Sequence, residues 1–244
     1  MKRFVYADNA ATTPVSPEVF EAMAPCFGNC FGNPSSLHEK GREAKAMLDD
    51  ARARIAKVLG CDAAEIYFTS SGTEADNWAI RGAAMRMREK KGRNHIITSK
   101  IEHPAVLRTC EALEAEGFDV TYVGVDGDGI VMLDEIRDAI SDKTALVAIM
   151  FANNEVGTIE PIEEISAIAH SAGALMFTDA VQAFGSVDFN LATLPVDMLS
   201  VSGHKIGAPK GIGLLFIRLG VFIDNLIDCR KYNCNYLLNV GPMA

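Results

Sequence analysis

Basic residues are outnumbered in this chain, 23 Lys and Arg against 32 Asp and Glu, and the net charge is -9. No basic field is left over for a nucleic-acid backbone, so nucleic acid is not an expected partner. Cysteine is scarce: Cys26, Cys30, Cys61, Cys110, Cys229 and Cys234 are the six in 244 residues. That density is too low for a disulfide-stapled scaffold. The Cys26-x3-Cys30 and Cys229-x4-Cys234 pairs lack the further Cys or His that a four-ligand zinc site needs, so no metal is expected. The longest apolar run, Ala145 to Ala152, is far short of the roughly 20 residues of a membrane span. Met1-Lys2-Arg3-Phe4 leads into polar residues and not into an apolar signal core. The expectation is a cytoplasmic protein with no membrane partner. Nucleotide and hydrolase signatures are also missing. There is no G-x-G-x-x-G after the first strand, no G-x-x-x-x-G-K-[ST], and Ser70-Ser71-Gly72 lacks the spacing of a nucleophile elbow.

What is present is ordinary globular material, 49% hydrophobic and 23% charged, with no internal repeat or low-complexity linker. Ser16-Pro17 has the form of a helix start. Apolar residues at helical spacing predict a helix from about 38 to 59, closed by Gly60. Strands are predicted at 66–69, 96–98, 120–125, 145–151, 175–177, 198–201 and 212–217. Helices are predicted at 73–91, 104–116, 133–140 and 162–172. This alternation predicts an α/β fold, a mainly parallel sheet sandwiched by helices. In such sheets ligands bind at the carboxyl ends of the strands. Polar groups follow the strands directly: Ser71-Gly72-Thr73, Glu102-His103, Asn153-Asn154-Glu155, Asp179 to Gln182, and Ser202-Gly203-His204-Lys205.

Each group alone has a plain structural explanation. A Ser-Gly-Thr before a helix is usually a cap, an Asp after a strand is often a turn former, and Lys205 before Gly207, Pro209 and Gly211 fits a solvated turn. Together they describe one ligand. Gly72-Thr73 opens a helix, whose free amides and positive dipole end suit an anion. Ser202 and His204 can donate to the same anion. Lys205, just past a buried strand, suits covalent capture of an aldehyde, and Asp179 suits a protonated pyridine nitrogen. Anion cradle, amine and acid amount to a pyridoxal phosphate (PLP) site.

The chain also resembles a known family. Asp8-Asn9-Ala10-Ala11-Thr12-Thr13, Asn33 to His38, Thr69 to Asn77, Glu102-His103-Pro104, Asn153 to Thr158, Thr178 to Gln182 and Ser202 to Gly211 occur in that order. Over about residues 4 to 228 it resembles the cysteine desulfurases of the NifS/IscS kind, within the class V aminotransferase group of fold-type I PLP enzymes. The resemblance implies that Lys205 holds the cofactor covalently and that Asp179 meets the ring nitrogen. His103 would stack on the ring and move protons, so that Lys205 and His103 are the catalytic pair. Gln182 and Asn154 would lie near the ring hydroxyl, with Asn154 and Asn9 on the substrate side. Gly72, Thr73, Ser202, Gly203 and His204 would surround the phosphate. The implied reaction converts L-cysteine to L-alanine and passes sulfur to an enzyme cysteine as a persulfide. A homodimer and a sulfur-acceptor protein are implied partners.

The resemblance stops near Asp228. Residues 1–228 are expected to be the PLP-binding domain and 229–244 an atypical tail left by truncation or a frame shift, with the family's small C-terminal domain and its sulfur-accepting loop absent. Weak PLP binding and poor desulfuration are the corresponding expectations. Other class V chemistries (a selenocysteine lyase or an aminotransferase) and a non-catalytic remnant are the alternatives.

Overall fold

The fold is seen in a computed structural model that describes residues 5–226. The tail expected over 229–244, with Cys229 and Cys234, lies outside these residues. Ser16 accepts the Val19 amide and caps α1 (Pro17–Met23), with Pro17 at the first helical position. His38 caps α2 (Glu39–Leu59), which ends where Gly60 turns left-handed at φ 73. Then come β1 (Ile66–Thr69), α3 (Gly72–Lys91), β2 (His95–Ser99), α4 (Pro104–Ala115), β3 (Asp119–Val123), α5 (Leu133–Ala139) and β4 (Thr144–Ala148). They are followed by α6 (Ile162–Ser171), β5 (Leu175–Asp179), β6 (Met198–Ser202) and β7 (Gly213–Ile217).

The strands form a 7-stranded sheet in the order β1-β7-β6-β5-β4-β2-β3. β7 runs antiparallel to both of its neighbours and every other pairing is parallel. Two reversals cancel, so β1 points the same way as β6. The carboxyl ends of β1, β2, β4, β5 and β6 therefore share one edge.

Neighbouring residues on each inner strand serve opposite faces, as the two-residue period of a strand requires. Ile96, Leu146, Phe177 and Leu215 pack with Ala75, Ala79, Ile80 and Ala83 of α3. Ile97, Val147, Met176 and Phe216 pack with Leu59 of α2, Ile136 of α5 and Ile165 of α6. Every residue of β2, β4, β5 (after Leu175), β6 and β7 is buried, and each large apolar side chain there contributes about 1.5–3 kcal/mol. The alanine stripe on α3 lets that helix lie close against the sheet, which fixes where its N-terminus sits.

One strand departs from expectation. β4 leaves the β2 ladder at Ala148, short of the predicted Phe151. The amides of Ile149 and Phe151 still bond the carbonyls of Phe177 and Asp179 on the β5 side. On the β2 side, Met150 donates its amide to the Glu102 carboxyl at 2.9 Å. A side chain thus replaces the strand partner where the chain turns toward the cleft.

Candidate active site

The site is assembled from the turns after the strands. After β1, Ser71 accepts the Glu74 amide at 3.1 Å and starts α3. The amides of Gly72 and Thr73 are left without intrahelical acceptors, as at any helix start. A Cβ on Gly72 would lie 2.8 Å from Val181 Cγ2 and 3.3 Å from Ser202 Cβ, so the helix tip fits there only as bare backbone. After β6, a single 3-10 turn carries His204 and Lys205. The N-terminal segment straps this turn down. Thr13 donates its amide to the His204 carbonyl at 2.8 Å, and Gly207 donates its amide to Thr13 Oγ1 at 2.8 Å. His204 Nδ1 lies 3.1 Å from Thr12 Oγ1.

Asp179 ends β5 as a buried carboxyl whose Oδ1 accepts the Val181 amide at 2.9 Å. Burial raises its affinity for a proton, while the Val181 amide, His103 and Lys205 favour the charged form. Burial lowers the Lys205 amine below its ordinary value, against the pull of Asp179 and Asp8. Lys205 Nζ donates to the carbonyl of Ala10 and, at 3.1 Å, to that of Ala11. Gln182 donates to the same Ala10 carbonyl at 2.8 Å. His103 caps α4 by accepting the Ala105 amide on Nδ1 at 3.1 Å, which puts the proton of a neutral ring on Nε2. Asn153 shapes the next wall: its Oδ1 accepts the amides of Glu155 and Val156, and its Nδ2 reaches the Ile101 carbonyl at 3.1 Å. Asn154 follows at the rim.

These turns enclose a cleft of about 360 Å³, within the range of small-molecule sites. Its lining includes Gly72, Thr73, His103, Asn154, Asp179, Gln182, Ser202, His204 and Lys205, each expected from the sequence. Two expected residues stand off the wall. Gly203 gives its amide to the Ile212 carbonyl at 3.0 Å, and a Cβ there would meet Ile212 Cγ2 at 2.7 Å, so it packs the turn beneath the site. Asn9 is exposed beside Asp8 and Ala10, which do line the cleft.

The lining also holds Asp76, Met150 and Val181, to which the sequence reading gave no role. Asp76 carried a usable signal: four residues after Gly72 it shares that residue's helix face. Glu102, quoted only as part of a motif, is buried with Oε1 accepting from Ser99 Oγ at 2.7 Å and from the Met150 amide. Burial pushes its carboxyl up to about 8.

The residues present fit pyridoxal phosphate. Two helix-tip amides, the Ser202 hydroxyl and the His204 imidazole can hold a phosphate where Gly72 leaves space, with an amine and a buried acid further along the same cleft. None of the cysteines at 26, 30, 61 and 110 lines it. Burial pushes the thiols of Cys61 and Cys110 up to about 12, far from the thiolate form. Among the described residues no group of three His, Cys, Asp or Glu is placed to hold a metal. No helix there is long and apolar enough to cross a membrane.

The family described as Aminotransferase class-V matches residues 5–223. Cysteine desulfurase IscS of Methanosarcina thermophila is 55% identical over 223 residues, covering 91% of this chain and 55% of its own length. Cysteine desulfurase IscS of Clostridium botulinum (strain Hall) is 52% identical over 227 residues, 93% of this chain and 57% of its own. A solved NifS-like protein superposes with a TM-score of 0.88 at 45% identity, covering 91% of this chain and 61% of that one. SspA in complex with cysteine superposes with a TM-score of 0.87 at 41% identity, covering 91% and 64%. The chain thus spans little more than half the length of the curated relatives it matches.

Proposed function

The chain belongs to the class-V aminotransferase family, and from that premise we propose that its residues 1–228 are the PLP-binding domain of a cysteine desulfurase. The substrate is L-cysteine, the product L-alanine, and the sulfur passes to a thiolate as a persulfide. The observation that carries this reading is the meeting of Lys205, Asp179 and the α3 tip in one cleft. Cysteine is also the molecule bound in one of the similar structures.

Bound there, PLP supplies an aldehyde that captures an amine covalently and a ring that accepts electrons. The amides of Gly72 and Thr73 hold its phosphate at the positive end of α3, with Ser202 and His204 donating beside them. The helix end alone is worth about 0.3–1 kcal/mol at an exposed site, so the hydroxyl and imidazole carry much of the binding. Asp179, its charge steadied by the Val181 amide, would keep a proton on the ring nitrogen. Lys205, held by the Ala10 and Ala11 carbonyls, would supply the amine for that aldehyde, and its lowered basicity favours the neutral, nucleophilic form. The same amine would move the proton at the substrate α-carbon; such positioned bases typically contribute about 10²–10⁴-fold. His103, with its proton on Nε2, would exchange protons beside the bound group. Asn154 and Gln182 would serve the ring hydroxyl, and Asn154 with Asn9 the substrate carboxylate. Among the described residues no cysteine lines the cleft, and the accepting thiolate would come from elsewhere. A homodimer, a separate sulfur-acceptor protein and a cytoplasmic setting belong to the same reading.

The test is to load the full chain with PLP and add L-cysteine with a small thiol as acceptor. A cysteine-dependent change in cofactor absorption, with L-alanine as the product and both lost in Lys205→Ala, is expected. A keto-acid product, or no response to cysteine in the loaded protein, overturns the assignment.

A further inference from the structure

Three carboxyls are buried around the floor of the cleft, and only Asp179 has a task so far. Asp76 projects from α3, is 1% exposed, and forms part of the cleft wall. Its Oδ1 lies 2.5 Å from the Ser200 hydroxyl, at the short end for two oxygens. Ser200 sits on β6 directly opposite Asp179 in the parallel ladder, and its hydroxyl favours the charged form of Asp179 as well. In the structure the Ser200 hydroxyl donates to Asp76, and standing beside Asp179 in the ladder it has a single hydrogen for the two acids. Whichever acid does not receive that hydrogen must bring its own or face the serine oxygen unpaired.

The surroundings decide which acid that is. Lys205 and His103 act on Asp179, and the Val181 amide bonds it. Among the described residues no cation acts comparably on Asp76. The charged groups that reach it are Asp179 from β5 and Glu102 from the turn after β2, both acids, while β6 offers only the neutral Ser200. Two adjacent carboxylates in one buried site do not both ionise readily, and the one without cationic neighbours keeps the proton.

We propose that Asp76 is a positioning residue for Asp179: a buried carboxyl that keeps its proton, donates it to the Ser200 oxygen, and so turns the Ser200 hydrogen toward Asp179, leaving Asp179 as the ionised acid of the pair. Burial and the charge of Asp179 both raise Asp76 well above the ordinary carboxylate range, in agreement with this geometry. The chain of donors runs from Asp76 through Ser200 to Asp179, whose remaining capacity faces the cleft. The inference rests on the proposed function only in its last consequence, that Asp76 thereby sets the protonation of the bound ring.

The experiment follows aspartate carboxyls in the full chain by carbon-13 labelling, with infrared and NMR titration of wild type, Asp76→Asn and Ser200→Ala, before and after PLP is added. Thermal unfolding verifies that each variant is folded. Wild type at neutral pH shows a protonated aspartic acid band, shifted in Ser200→Ala and absent from Asp76→Asn. In Asp76→Asn, which keeps a neutral donor at the same place, Asp179 titrates within about half a unit of wild type. In Ser200→Ala it rises by about one to two units, the value of a hydrogen bond to a charged group. The pH at which the bound cofactor changes its absorption follows the same order. Absence of the protonated band in wild type overturns the proposal. So does a fall of more than about one unit for Asp179 in Asp76→Asn, because Asp76 would then have been the charged partner. A wild-type chain that takes up no PLP defeats the functional reading, while the carboxyl titrations still decide this one.

Discussion

Glu102 is bound through one oxygen and has no partner for the other, Oε2, in a fully enclosed position. Its carboxyl rises from an ordinary 4.5 to about 8. A group whose folded value lies above its unfolded one contributes stability in full below the unfolded value, and the contribution is lost as pH rises through the folded one. Stability from this residue is therefore spent between 4.5 and about 8. Glu102→Gln keeps the accepting oxygen and removes the titration. Chemical denaturation at about pH 6 and about pH 9 should show the variant gaining on wild type at the higher pH. An equal difference at both would mean that Glu102 is already ionised in the fold. Much of the site was legible at this scale. Lys205, Asp179 and the Gly72-Thr73 tip each follow a strand, and chemistry groups them. Glu102 was not, because an acid in a turn has the same local pattern whether it faces water or the core, and Asp76 offered only its four-residue spacing from Gly72. Only the packing of α3 and the detour of Met150 bury them. Asn9 is exposed, and its neighbours Asp8 and Ala10 take the wall.

Among the elements, α3 matters most because its first turn is both a helix start and a cleft wall. Gly72→Ala would bring a Cβ to 2.8 Å from Val181 Cγ2 and 3.3 Å from Ser202 Cβ. The expected result is PLP affinity lowered about tenfold, close to 1.4 kcal/mol, with a loss of thermal stability of about 1–3 kcal/mol from the overpacked contact. Unchanged affinity in a fluorescence titration would remove the helix tip from the phosphate site. At the far end of α2, Gly60 has φ 73, a conformation that costs an L-residue roughly 1–2 kcal/mol. Gly60→Ala should lose about that much in chemical denaturation, with the cleft untouched. Helix ends of this kind were legible because caps are local. The end of β4 was not: the run to Phe151 is apolar throughout, and what stops its ladder is a carboxyl from another turn.

At the scale of the molecule, strand order and direction come from packing that no window of residues contains. One part could have been inferred. Too few residues separate Ser202 from Gly213 for a parallel crossover, which takes roughly a dozen, so β7 had to return antiparallel. The surface of the N-terminal segment carries Phe27 at 79% exposure and Phe31 at 72%, with Phe20 and Leu37 also bare. Apolar surface of this kind favours burial against another chain, in keeping with the proposed homodimer. Sedimentation velocity should find association that rises with concentration and weakens in a Phe20→Ser, Phe31→Ser double variant; a strictly monomeric wild type would count against it.

The most direct measurement is the site of covalent cofactor capture. The full chain, incubated with PLP, reduced with borohydride and digested, should yield one peptide bearing the reduced cofactor on Lys205, and Asp179→Ala should lower its yield. A reduced adduct spread over surface lysines, or none on Lys205, would contradict the meeting of amine, acid and helix tip on which the account is built.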